Sequence, residues 1–163
     1  MRHAILALSV ACSVASFVAD AADSHCLREE RTLFSCRAGN GKIISVCASA
    51  DLSATAGYLQ YRFGPKAAPE LTYPSSKEPR RDVVESGTLT YAGGGGAYLR
   101  FKRDDYGYVV YTAIGRGWGS RAGVAVENAR RLVGDIRCKG AVASEIGPDL
   151  FAKAGLPEDR QGF

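Results

Sequence analysis

Histidine is scarce in this chain of 163 residues, which has only two of them. Catalytic sites of the Ser-His-Asp and Cys-His kinds use an imidazole to move protons, and only His25 follows the apolar N-terminal segment. The Gly-x-Ser-x-Gly motif of esterases is also absent, because Trp118 and Ala122 stand where glycines would flank Ser120. The sequence therefore predicts a protein that is not an enzyme and has no catalytic residues.

Motifs for cofactors and metals are missing as well. Residues 115–119 read Gly-Arg-Gly-Trp-Gly, without the lysine of a Walker loop and with a tryptophan among the glycines, so they do not fit a nucleotide-binding loop. No two cysteines stand two to four residues apart, which excludes the common zinc spacings. We predict no cofactor and no bound metal.

Long runs of charged or apolar residues are also rare. Lysine and arginine number 21 against 17 aspartates and glutamates, a net charge of +4, and no five basic residues are consecutive. Nucleic acid is therefore not an expected partner. The main apolar stretch, residues 4–18, is shorter than the ~20 residues that a membrane-spanning helix needs.

Residues 1–21 have the pattern of a secretory signal peptide. Arg2 precedes the apolar stretch, and residues 19–21, Ala-Asp-Ala, supply the small residues of a cleavage site. Cleavage after Ala21 would leave residues 22–163 as a single domain, periplasmic or secreted, with no stable membrane span. Lipidation of Cys12 is an alternative that the sequence leaves open, because the three residues before it resemble a lipoprotein box.

Four cysteines remain after this cleavage, and an even number in an exported chain predicts two disulfides. They are Cys26, Cys36, Cys47 and Cys138, which allow three pairings. We favour Cys26 with Cys138, which would tie the two ends of the domain, and Cys36 with Cys47 across a hairpin.

Short alternating segments predict an all-β domain, either an antiparallel sandwich or a partly open barrel of seven or eight strands. Residues 58–63 and 98–103 alternate apolar and polar side chains, as half-buried strands do. The glycine-rich stretches 93–96 and 115–123 are expected to form a flexible break and a loop. One short C-terminal helix is predicted at 148–154, from a first-turn proline to the glycine at 155.

Tyrosine, tryptophan and arginine dominate binding hot spots. All eight tyrosines lie between residues 58 and 111, and Trp118 stands with Arg116 and Arg121 in the glycine-rich stretch. If Leu99 and Phe101 face the core, their neighbours on the same strand point outward, and Tyr58 and Arg62 have the same parity on their own strand. The candidate binding residues are Arg62, Tyr98, Arg100, Lys102, Arg116, Trp118 and Arg121. The alternative is structural, since tyrosines are common on half-buried strands.

Four segments together resemble a group of small exported proteobacterial proteins of unassigned activity: residues 32–36, 42–48, 58–64 and 93–101. The resemblance covers roughly residues 26–138. It implies a periplasmic or secreted bacterial protein and supplies no catalytic residue.

Two functions compete on this basis. The first is a protein-binding module of the inhibitor or toxin-immunity kind, whose partner is a protein of the cell envelope or a secreted toxin. The alternative is a binder of glycan or another cell-envelope polymer, with Trp118 and exposed tyrosines as stacking platforms. A hydrolase is a distant third, because no catalytic constellation is present.

Overall fold

The structure, a computed structural model, describes residues 23–163. The predicted signal peptide and Cys12 lie outside the described residues. Nine strands are present in this part: β1 (Arg31–Ala38), β2 (Ile43–Ala48), β3 (Leu59–Gly64), β4 (Leu71–Tyr73), β5 (Val84–Tyr91), β6 (Gly94–Arg103), β7 (Tyr106–Gly115), β8 (Gly119–Asn128) and β9 (Arg131–Ser144). A short 3-10 helix (Arg81–Val83) precedes β5, and one α-helix, α1 (Pro148–Ala154), follows β9. No helix among residues 23–163 is long and apolar enough to cross a membrane.

The strands form one antiparallel sheet in the order β4-β3-β2-β1-β9-β8-β7-β6-β5, and the sheet curls into a half-barrel. The all-β prediction is confirmed, and the form is the partly open barrel. The single short C-terminal helix is confirmed with its bounds, since it begins at Pro148 and ends before Gly155 in the left-handed conformation.

The concave face of the half-barrel holds the main hydrophobic core. Alternate residues of the long strands point inward, so that Leu99 and Phe101 of β6 pack with Val110 of β7. Tyr61 of β3 crosses the interior and stacks on Tyr108, with ring centroids 5.3 Å apart. These contacts hold the two halves of the curled sheet together.

Both glycine-rich stretches are strand for most of their length, which corrects the prediction of a flexible break and a loop. Gly94 to Gly96 belong to β6, and β8 begins at Gly119. Glycine is required for strand packing at two of these positions, because a Cβ on Gly96 or Gly123 would collide with the backbone of the neighbouring strand. Two long hairpins therefore replace the expected break and loop. The described part has nine strands, one more than the upper expectation, because the short stretch Leu71–Tyr73 pairs as the edge strand β4.

The disulfide pairing favoured from the sequence is wrong. Cys26 is bonded to Cys47, and Cys36 is bonded to Cys138. The β1–β2 register places Cys36 opposite Ile44 and not opposite Cys47, so the two cysteines of the hairpin face different sides of the sheet. Two disulfides are present, as the even cysteine count predicted.

The two terminal segments of the described structure cover the convex face of the sheet. Residues 23–30, here called the N-terminal cover, lie over β1, β2 and β3, where the backbone N–H of His25 donates to Ser45. Residues 155–163, the C-terminal cover, follow α1 and lie over β5 to β8. Within this segment, Glu158 forms a parallel bridge with Ser86 of the edge strand β5. Large parts of the sheet are therefore buried on both sides.

Candidate binding site

Arg62 lies on the convex side of β3, beneath the N-terminal cover. Its guanidinium donates hydrogen bonds to both carboxylate oxygens of Glu30 at 2.7 Å, to the Gln60 side chain at 2.6 Å and to the His25 carbonyl at 2.7 Å. The residue is only 5% exposed. The prediction of an outward, solvent-facing Arg62 is wrong, because the N-terminal cover occupies the face that strand alternation assigns to solvent.

The ion pair of Arg62 and Glu30 gives an expected pH dependence of stability. Burial by itself raises the pKa of Glu30, but hydrogen bonds from Arg62, Tyr58 and the Leu27 backbone outweigh it and lower the pKa to about 2 from the usual 4.5. Because the pKa is lower in the folded state, the ionised carboxylate stabilises the fold fully above pH 4.5, and this contribution is lost as the pH falls toward 2.

We therefore expect the Glu30→Gln variant to lose less stability than the wild type on acidification through this range. Urea unfolding at a series of pH values measures the difference. Glu29→Gln is the matched control, because Glu29 is exposed on the same segment. Parallel wild-type and Glu30→Gln curves would show that Glu30 is not held as the ionised partner of Arg62.

Tyr98 and Arg100 point to the convex face of β6, and the C-terminal cover buries them. They are 1% and 2% exposed. Arg100 donates to Asp159 at 2.7 Å and to the Gly162 carbonyl at 2.9 Å, and it forms an ion pair with Glu127. The prediction that these two residues are exposed is wrong, because they bind the chain's own C-terminal segment.

The Phe163 ring is also part of this cover. The Phe163 ring lies 5.4 Å from the Tyr98 ring and 5.9 Å from the Tyr111 ring, centroid to centroid. Burial and the neighbouring Asp159 raise the pKa of Tyr98 to about 12, and its hydroxyl donates to Asp159 at 3.1 Å. The C-terminal cover is thus held by both aromatic and charged contacts.

Lys102 lies at the margin of the same cover. It is partly buried and pairs with Glu85 at 2.6 Å. Internal contacts therefore account for Arg62, Tyr98, Arg100 and Lys102. The remaining three predicted residues, Arg116, Trp118 and Arg121, lie together on the β7–β8 hairpin.

These three residues and Tyr91 form what we call the hairpin patch. The Arg121 guanidinium lies 4.6 Å from the Trp118 ring centroid, and the Tyr91 ring lies 5.8 Å from it on the neighbouring hairpin. Gly115 has no side chain, which leaves room for the indole ring against the end of β7. Trp118 lies in the turn of the β7–β8 hairpin, contacts Tyr91 of the β5–β6 hairpin, and remains partly exposed.

The hairpin patch is positively charged. Within residues 23–163, neither Arg116 nor Arg121 has a carboxylate at ion-pair distance, whereas the nearby Arg137 is paired with Asp135 at 2.8 Å. An arginine stacked on an exposed tryptophan is well placed to meet a carboxylate on a partner.

A trough of about 600 Å³ lies beside the hairpin patch, where β8 and β9 separate. Its lining is mostly small or aliphatic and includes Gly95, Thr112, Ile114, Ala122, Gly140 and Val142. Ile114 is 62% exposed and Val142 is 41% exposed, so the trough is open to solvent. The side chains that point inward are small at the trough end of the half-barrel and large at the opposite end, where Tyr61 and Phe101 pack, so the space at the trough end is unfilled.

The separation of the two strands has a local cause. The β8–β9 pairing ends at Gly123 and Arg137, so Gly119–Ala122 of β8 has no strand on that side in the described structure. Cys36 and Ala38 of β1 are two residues apart, whereas their partners on β9, Val142 and Cys138, are four residues apart. The extra residues form a bulge around Gly140, whose φ is +86°, and the bulge bends β9 away from β8.

The one metal-like cluster found among residues 23–163 does not form a metal site. Cys26, Glu30 and Cys47 bring ligand atoms close together, but the two sulfurs are joined in a disulfide and offer no thiolate. His25 is also engaged, with its Nε2 at 3.2 Å from the Gly64 carbonyl oxygen.

Sequence reasoning missed the trough and the two covers. The small residues at alternate positions, such as Gly95 and Ala97 on β6 and Ser120 and Ala122 on β8, are the signal that could have indicated an unfilled interior. The covers left a weaker signal, because Glu30 and Asp159 lie in irregular segments where acidic residues are common.

Comparisons of this chain with protein-family models, with curated proteins and with solved structures found no match.

Proposed function

We propose that this protein is an exported, non-catalytic module that binds a protein partner through the hairpin patch, as an inhibitor or a toxin-immunity protein does. The partner is a protein of the cell envelope or a secreted toxin. The observation that carries the proposal is the stack of Tyr91, Trp118 and Arg121 on two neighbouring hairpins, with Arg121 lacking an internal carboxylate among the described residues. Tryptophan, tyrosine and arginine in such a setting are the usual anchors of protein interfaces.

Two further observations support export. The N-terminal 21 residues have the pattern of a signal peptide. The two disulfides, Cys26–Cys47 and Cys36–Cys138, are of a kind that forms in an oxidising compartment. The resemblance to small exported proteobacterial proteins agrees with a periplasmic or secreted location.

We expect the Trp118→Ala variant to weaken partner binding by ~2 kcal/mol or more, roughly thirtyfold, as truncation of an interface anchor does. Affinity capture from a cell-envelope extract and from secreted protein identifies the partner, and titration with the purified partner gives the affinity. Melting temperature should change little, because Trp118 lies outside both hydrophobic clusters.

Tyr106→Ala is the matched control, since Tyr106 is exposed at the opposite end of the same sheet and is expected to leave binding intact. A partner that binds Trp118→Ala as tightly as wild type would contradict the proposed surface. Binding to purified cell-wall polymer, with loss in Trp118→Ala and no protein captured, would favour the alternative of a glycan binder, in which Tyr91 and Trp118 stack on sugar rings.

A further inference from the structure

The trough beside the hairpin patch has two features that the proposed function has not used. The edge of β8 at Gly119–Ala122 has no neighbouring strand in the described structure. The apolar space next to it has the size of ordinary ligand pockets, ~300 to 1,000 Å³. An unpaired edge offers backbone N–H and C=O groups in a row, which is a template for a further strand.

We propose that this edge binds an extended segment of the protein partner, which adds as a strand between β8 and β9. The inference rests on the proposed function, because it names the part of the partner that is recognised. Main-chain hydrogen bonds supply general affinity in this mode, and pockets for alternate side chains supply specificity. The trough is the pocket, since it lies on the concave side of the same stretch of β8.

The chemistry of the segment follows from the lining. Small and aliphatic side chains, among them Ala122 and Val142, favour an apolar side chain of the partner in the trough. Arg121, which also borders the trough, has no carboxylate partner among residues 23–163 and favours an Asp or Glu at a neighbouring position of the segment. The expected ligand is therefore an extended peptide with an apolar residue next to an acidic one.

A peptide fits this site better than an acyl chain does. The free stretch of β8 carries main-chain hydrogen-bonding groups that a hydrocarbon cannot satisfy. The C-terminal cover gives a small example of main-chain pairing at another edge of this sheet, because Glu158 forms a single parallel bridge with Ser86 of β5.

An array of random octapeptides, probed with the full protein, tests the inference without knowledge of the partner. We expect enrichment of peptides that combine an apolar residue with Asp or Glu. Hydrogen exchange with the best synthetic peptide should then show new protection of those amides in Gly119–Ala122 that point away from β7, since the alternate amides already face β7. Two variants should each lower the affinity for this peptide by roughly tenfold. Thr112→Phe fills the trough, and Arg121→Gln removes a charge-assisted hydrogen bond to the peptide's acidic residue.

Thr88→Phe is the matched control, because Thr88 is exposed on β5 and does not border the trough. Circular dichroism confirms that the variants are folded. Absence of enriched peptides, protection confined to other strands, or binding of oleate in place of peptides would overturn the inference. If Trp118→Ala loses partner binding and Thr112→Phe keeps it, the added-strand inference is overturned while the proposed function stands.

Discussion

Replacing Arg100 by methionine is expected to lower the free energy of unfolding by ~3 to 5 kcal/mol, the usual result of removing one member of a buried ion pair. Arg100 is 2% exposed and bonds Asp159, Glu127 and the Gly162 carbonyl. Methionine restores most of the volume but leaves Glu127 buried without its cation. Urea unfolding followed by circular dichroism measures the loss.

Arg103→Met is the matched control, because Arg103 is exposed at the end of the same strand, and such surface changes stay within about 0.5 kcal/mol. Adding Glu127→Gln to Arg100→Met should recover part of the loss, since it removes the uncompensated charge. A loss below about 1 kcal/mol in Arg100→Met would contradict a buried ion cluster at this place.

The same cluster makes the C-terminal cover sensitive to acid. Burial by itself raises the pKa of Asp159, but hydrogen bonds from Arg130 and Arg100 outweigh it and hold the pKa well below the usual 3.8. The folded-state pKa is the lower one, so the contribution of Asp159 is complete above pH 3.8 and declines as the pH falls below it. Acid should therefore weaken both covers, because Glu30 titrates in the same direction.

The double variant Cys36→Ala, Cys138→Ala is expected to lose about 4 to 5 kcal/mol of stability in the loop-closure description of disulfides. This bond joins residues 102 positions apart, and its removal frees most of the domain in the unfolded chain. It also joins β1 to the bulged stretch of β9 beside the trough. Urea unfolding of the oxidised proteins gives the difference.

The comparison variant Cys26→Ala, Cys47→Ala removes a bond with a separation of 21 residues and is expected to cost less, about 3 kcal/mol. Each bond has one fully buried sulfur-bearing residue, Cys36 or Cys47, so the side-chain losses are comparable. Equal losses in the two double variants would contradict the loop-length argument. Mass spectrometry of proteolytic peptides from the oxidised wild type checks the two pairings directly.

Much of the architecture could be predicted from residues alone. Alternation in 58–63 and 98–103 identified strands, and the Pro148 to Gly155 pattern identified the one helix, because these are local preferences of the backbone. The even cysteine count predicted two disulfides, but pairing depends on which strands become neighbours. Cys36 meets Cys138 because β9 returns to lie beside β1, and no local pattern encodes that return.

The candidate binding residues show the same contrast between what local sequence predicts and what long-range packing decides. Alternation assigned Tyr98 and Arg100 correctly to the face opposite Leu99 and Phe101. It could not show that Asp159, which lies 59 residues after Arg100, packs on that face. Arg116, Trp118 and Arg121 remained available because they lie at a hairpin end that neither cover reaches. Local sequence therefore determined most of the strands, their two faces and the presence of two disulfides, but not the strand pairing of the glycine-rich stretches. Only the tertiary structure decided which face of the sheet meets water, because exposure depends on where the N-terminal and C-terminal covers pack.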